Sequence, residues 1–166
     1  MIQFNFIPYM EQVAIKLKDI GHTEAMPKFF RISGISGIEE LIASIPDAQF
    51  PALMVVENPE GRISNNGGGN FTDTPSYEFY VTQKYQFGDH NARVAAKEQC
   101  KAIGQKILAK MLYDKSQRTN GLTLMQFDDV PYFPVGPFAD QCISVYFRFN
   151  VNQYSGLVYN PDDWNE

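Results

Sequence analysis

The sequence predicts an α+β domain, a mostly antiparallel sheet packed in two layers against one long helix and an N-terminal helix. Three observations predict it. Residues 92–113 run without proline and repeat apolar side chains at helical spacing. Segments 76–87 and 141–151 alternate apolar with polar residues, as half-buried strands do. Turn signals join most of the remaining strands directly, which makes neighbours antiparallel.

Taken in order, Tyr9, Val13, Leu17 and Ile20 recur at intervals of three and four, the period of a helix over 8–20. Pro8 suits its first turn, where a missing N–H is no loss, and Gly21 suits its end because glycine accepts positive φ. Phe29-Phe30-Arg31-Ile32 reads as a short strand. Residues 37–44, with Ile38, Leu41, Ile42 and then Ile45 apolar, read as a short helix closed by Pro46. The unbroken apolar run Pro51-Ala52-Leu53-Met54-Val55-Val56 reads as a buried strand, ended by the turn signal Asn58-Pro59-Glu60-Gly61.

Residues 58–75 hold Asn65-Asn66-Gly67-Gly68-Gly69-Asn70 and two prolines. They are too polar for a core and are expected to form a long, flexible, exposed hairpin loop. Beyond them Tyr77, Phe79, Val81, Gln83, Tyr85 and Phe87 alternate with Ser76, Glu78, Tyr80, Thr82, Lys84 and Gln86, the clearest strand in the chain. Gly88-Asp89-His90-Asn91 offers capping side chains to the long helix, whose stripe Ala92, Ala96, Cys100, Ile103, Ile107 and Met111 is apolar. Gly104 interrupts that stripe and lets another element approach closely. Two more strands are expected at 122–131 and 141–151, joined through Pro131-Tyr132-Phe133-Pro134-Val135-Gly136-Pro137. From about 152 the chain, with Asp162, Asp163, Trp164 and Glu166, has no periodicity and is expected to be irregular. No repeat or linker divides it, so residues 1–166 read as a single domain.

The formal charge of −5 argues against general affinity for nucleic acid or anionic membrane. Residues 1–9 lack a basic stretch ahead of an apolar one, and no run is long and apolar enough to span a bilayer, so a soluble intracellular protein is expected. Cys100 and Cys142 form neither a disulfide framework nor a metal knuckle. Only His22 and His90 are available as imidazole bases. An enzyme would require one of them to meet Cys100, Cys142 or a carboxylate pair, Asp128-Asp129 or Asp162-Asp163. Cys100 on an apolar stripe and His90 ahead of a helix are better explained by packing and capping. Gly67-Gly68-Gly69 lacks the Gly-Lys-Ser/Thr end and the following helix of a phosphate loop. No catalytic, cofactor or metal residue is assigned, and the expectation is a protein that is not an enzyme.

Interaction surfaces are more visible. Arg93, Lys97 and Lys101 climb one helix face at i, i+4, extended by Lys106, Lys110 and Lys115, a cationic face on an acidic protein. Such a face is either a solvated outer face of the helix or one that suits an acidic partner or a second copy. Tyr80, Tyr146, Tyr132 and Phe133 fall on nominally polar strand positions or in the connecting segment, which marks either an interface or a second sheet face covered within the monomer.

The strand end Tyr80-Val81-Thr82-Gln83-Lys84-Tyr85-Gln86-Phe87-Gly88-Asp89 is followed by the helix with Ala95-Ala96 and Ile103-Gly104-Gln105-Lys106-Ile107-Leu108. Paired strands then flank Val135-Gly136-Pro137. Over residues 50–151 this arrangement resembles the small tail-completion proteins of tailed bacteriophages, the tail terminator and head-to-tail joining group. The resemblance implies an α+β fold with a sheet flanked by helices, and no cofactor. It implies a structural protein of a phage or prophage that assembles into a ring, typically six-fold, capping the tail tube and offering a docking surface to the head. Its partners would then be itself and the tail-tube and head-connector proteins, in the bacterial cytoplasm during assembly and then in the virion tail. The loop 58–75, with Asn66, Gly67, Gly68, Gly69 and Phe71, would reach a neighbouring subunit or the tube and order on assembly. The acidic balance would suit a channel to which DNA must not adhere, leaving Arg93, Lys97 and Lys101 for subunit contact. The residues after Val151 match nothing in that group. A small binding module with an aromatic-lined pocket, and an enzyme of the kind described above, are the alternatives.

Overall fold

A computed structural model of the protein describes residues 4–65, 67, 70–138, 141–157 and 159–163. Its elements are α1 (Phe6–Lys16), β1 (Phe29–Ile32), α2 (Ile35–Ser44), β2 (Ala52–Val56), β3 (Glu60–Asn65), β4 (Phe71–Lys84), α3 (His90–Ser116), β5 (Met125–Gln126), β6 (Tyr132–Phe138), β7 (Cys142–Val151) and β8 (Gln153–Ser155). Short 3-10 turns stand at Asp47–Gln49, Leu122–Leu124 and Pro161–Asp163. The strands form one eight-stranded sheet with the path β1-β2-β4-β7-β5; β3 and β8 also pair with β4, and β6 with β7. β1 and β2 run parallel, and the other pairs are antiparallel. The fold is α+β, a mostly antiparallel mixed sheet against the long helix and the N-terminal helix.

Strand alternation builds the main core. Tyr77, Phe79 and Val81 of β4 and Val145, Phe147 and Phe149 of β7 pack with Met10, Val13 and Ala14 of α1 and with Cys100, Ile103, Ile107 and Met111 of α3. Gly104 admits the Phe147 ring: a Cβ at this position would overlap Cε2 and Cζ of that ring, which itself stacks on Phe79 at 4.9 Å between centroids. The cap expected at 88–91 is Asp89, whose carboxylate accepts the Ala92 N–H at 2.9 Å. α1 ends at Lys16, earlier than expected, and Gly21, at φ +62°, closes the turn that follows with its N–H on the Leu17 carbonyl.

The other sheet face has a core of its own. Ala52, Met54, Val56, Tyr80 and Cys142 pack against Ile38 and Ile42 of α2 and against Phe50 and Phe138. The two expected layers therefore gain a third, partial one. Every residue of β2 is buried because both of its faces are covered, which is why its sequence runs unbroken rather than alternating.

The strand expected over 76–87 ends at Lys84, and Phe87 beyond it is exposed. Three further segments differ. Within 58–75, residues 60–65 and 71–75 are not open loop but a β-ribbon, with β3 paired to β4 from Glu60↔Ser76 to Asn65↔Phe71. Polarity keeps these residues out of a core, yet Phe71-Thr72-Asp73-Thr74 alternates and pairs readily in a solvated ribbon. Over 122–131 the expected strand shrinks to a 3-10 turn and the two-residue β5, while the joining segment is strand β6. Its Pro134 and Pro137 are tolerated because, among the described residues, β6 pairs only with β7 and is irregular between Val135 and Phe138. After residue 152 the chain is not wholly irregular: β8 pairs with β4 at Phe71↔Ser155, Thr72↔Tyr154 and Asp73↔Gln153.

Candidate functional site

Three surfaces carry side chains able to recognise something. On the first, Arg93 and Lys97 of α3 line a shallow cleft of about 250 Å³ with His90, Gly136, Pro137 and Ile143. Arg93 Nη2 lies 3.0 Å from His90 Nδ1, Lys97 Nζ lies 3.4 Å from Glu98, and Lys101 Nζ stands 4.9 Å from the centre of the Tyr132 ring. The expected extension of this face does not continue it. Lys106 binds both oxygens of Asp19, Lys110 binds Asp114, and Lys115 donates to the Met125 carbonyl at 2.6 Å. A step of five residues from Lys101 to Lys106 turns the side chain by about 140°, onto another side of the helix.

The second surface is the ribbon. β3 is exposed at five of its six residues, and among the described residues no strand pairs with its outer edge. Ile63 on it is 55% exposed. Gly67 donates its N–H to Asn65 Oδ1 at 2.8 Å, and Phe71 is half-buried between Asn65 and Ser155. Asn66, Gly68 and Gly69 lie outside the described residues, as does Trp164.

Tyr80 and Tyr146 pair ring to ring at 5.1 Å on the sheet face that α2 partly covers. Tyr80 is only 4% exposed, so it belongs to the chain's own core and not to a contact surface, which corrects the sequence expectation. Burial pushes its phenol up to about 12. Tyr146 is half-buried, and its hydroxyl donates to Glu78 Oε1 at 2.9 Å. Burial, reinforced by that bond, raises its pKa as well.

The third surface is an open groove between α1 and α3, about 540 Å³ in volume, that sequence reasoning did not single out. Tyr9, Val13, Leu17 and Ile107 make its apolar walls, and Lys16, Lys106 and Lys110 stand along it. Asp114, 4% exposed, also lines it and accepts hydrogen bonds from Tyr9 Oη at 2.8 Å and from the Lys110 ammonium. Burial on its own would raise the Asp114 pKa, but the bonds from Lys110 and Tyr9 outweigh it and hold the carboxyl below its ordinary range. Burial and then the Asp114 carboxylate push the Tyr9 phenol upward. A signal was present: Asp114 stands three residues after Met111 and continues the core stripe with an acid, which a buried position tolerates only when partnered.

The candidates for chemistry stay apart. His22 Nδ1 accepts the Lys28 N–H at 3.1 Å, His90 meets Arg93, and Cys100 and Cys142 are both buried. Burial, aided by Cys142, pushes the Cys100 thiol up to about 12, which disfavours the thiolate. Asp128 and Asp129 are exposed in a cleft beside Arg148. Among the described residues no three His, Cys, Asp or Glu side chains group as metal donors. Among the described residues no helix is long and apolar enough to cross a membrane. No protein-family model matches the chain, and no curated protein matches it either.

Proposed function

We propose that the protein is a structural subunit of a phage or prophage tail that self-associates into a ring, capping the tail tube and joining it to the head. The observation that carries this reading is the exposed ribbon of β3, β4 and β8, whose outer edge at β3 is unpaired among the described residues. Free edges of this kind are templates for pairing with another chain unless blunted by proline, bulges or repeated charge. β3 has no proline and presents Ile63 outward. The long helix on a mostly antiparallel sheet is also the architecture that the resemblance to tail-completion proteins implies. Action then falls in the bacterial cytoplasm during assembly and afterwards in the virion tail.

The groove between α1 and α3 is open and, among the described residues, carries a single aromatic side chain, Tyr9, which suits a docking surface better than an enclosed aromatic pocket for a small molecule. The test is the solution mass by light scattering across a wide concentration range, with Ile63→Pro as an edge-blocking variant. The expected result is a species approaching six copies of the 18.9 kDa chain, weakened in the variant. A mass that stays at one chain throughout overturns the reading.

A further inference from the structure

We infer that β3 pairs edge to edge with β3 of a second copy, antiparallel, with Ile63 facing its own counterpart across a two-fold axis. The inference rests on the self-association reading above and names a first contact for it.

Pro75 shows which backbone groups of β3 are free to pair. β4 meets β7 and β8 in one continuous register, Ser76↔Asn150 and then Asp73↔Gln153, yet the ladder lapses between those two pairs. On its other side the β3–β4 ladder runs unbroken through Gly61↔Pro75. The N–H that proline lacks is therefore missing from the β7–β8 side, and Gly61 and Pro75 are opposed without exchanging hydrogen bonds. Alternation along the strand then turns the backbone of Glu60, Arg62 and Ser64 toward β4. The N–H and C=O groups of Gly61, Ile63 and Asn65 point outward from the edge.

The sequence of β3 selects one register for a second β3. Outward residues must oppose outward residues if their hydrogen bonds are to form. With Gly61 opposite Ile63, Arg62 would lie directly across from its own counterpart, and like charges so placed repel. Centred on Ile63, all three outward residues of each strand find partners: Gly61 meets Asn65, Ile63 meets Ile63, and Arg62 lies across from the neutral Ser64. Registers shifted further match fewer of them. The favoured register also sets the 55% exposed Ile63 side chain against itself, a burial that adds to the backbone bonds. Space permits the contact. The core lies past the Glu60 end of the ribbon, so an antiparallel partner holds its own core beyond the opposite end, past the turn at Gly67. The joined ribbons then make one sheet in the order β8-β4-β3-β3-β4-β8. Such a contact is isologous and closes on itself, so a six-copy species consists of three of these pairs.

The experiment uses the full chain with one cysteine added, Ile63→Cys or Asn65→Cys. Cys100 and Cys142 are buried and do not compete. In the inferred register the two Cα atoms at position 63 stand about 5.5 Å apart, within reach of a disulfide. Those at position 65 are separated by about 15 Å, four residues along the strands, and cannot be bridged. Under mild oxidation, at concentrations where light scattering shows association, Ile63→Cys is expected to give a covalent species of twice 18.9 kDa and Asn65→Cys to lack it. In the parent, the Gly61, Ile63 and Asn65 amides are expected to gain protection from hydrogen exchange only as concentration rises. A parent that associates while Ile63→Cys cross-links no better than Asn65→Cys overturns the pairing and leaves the ring reading intact. Amides protected at every dilution show the edge already covered within its own chain and overturn the pairing too. A parent that stops at two copies, with Ile63→Cys cross-linked, supports the pairing and overturns the ring. One that stays at a single chain overturns both.

Discussion

Gly104 owes its place to Phe147, whose ring occupies the space a side chain would need. Replacing it by alanine sets two effects against each other. Helix propensity favours the change by about 1 kcal/mol. Overpacking a filled core costs about 1–3 kcal/mol, and here the obstructing ring is itself buried and stacked on Phe79. Gly104→Ala is therefore expected to lower stability by up to about 2 kcal/mol, seen as a lower urea midpoint at unchanged slope. A raised midpoint would show that the ring has room to move. The glycine was readable in the sequence as a place of close approach because it breaks an apolar stripe, but its partner was not. Which strand residue meets a helix residue depends on how the helix lies across the sheet, and spacing within one element says nothing of that.

The ribbon shows where composition misleads. A stretch rich in asparagine, glycine and threonine cannot fill a core, and that much was legible. Backbone pairing has no such requirement, so β3 and the first residues of β4 hold a regular register in solvent. Hydrogen exchange of the unassociated protein is expected to protect roughly half of the amides of residues 60–65, the half that faces β4 in an antiparallel pair. Full exchange of that segment on the timescale of the turn around Gly67 would return it to a loop that orders only on assembly. The same blindness hid β6, because prolines argue against strands except at an edge, and edge status is a property of the finished sheet. By contrast the core part of β4 from Ser76 to Lys84, β7 and α3 were legible, since each buries a regular face against a large core. α2 was readable as a helix, but its place on the opposite sheet face, with the partial third layer and the burial of Tyr80 that follow, was not.

For the molecule entire, Asp114 and Tyr9 join α1 to α3 and set limits in pH. The folded pKa of Asp114 is depressed, so its stabilisation is complete above the ordinary carboxylate range near 4 and is lost as pH falls through the lower folded value. Asp114→Asn is expected to cost about 1–3 kcal/mol at neutral pH, and the gap to the parent should close below about pH 4. A gap that persists undiminished in acid would assign the effect to packing. Tyr9 works in the opposite direction: its folded pKa is raised, so its contribution is complete below pH 10 and declines as pH climbs above that value. The groove that this pair lines was the least legible feature, because it lies between elements far apart in the chain. β4 also has a mechanical meaning. One continuous strand serves as the ribbon from Phe71 to Pro75 and as the centre of the sheet from Ser76 to Lys84, where it pairs residue by residue with β7. A pull on the ribbon along the strand thus loads that whole ladder in shear, all rungs together, and not one rung at a time as in unzipping. A subunit held by its ribbon would bear tension through its stiffest part.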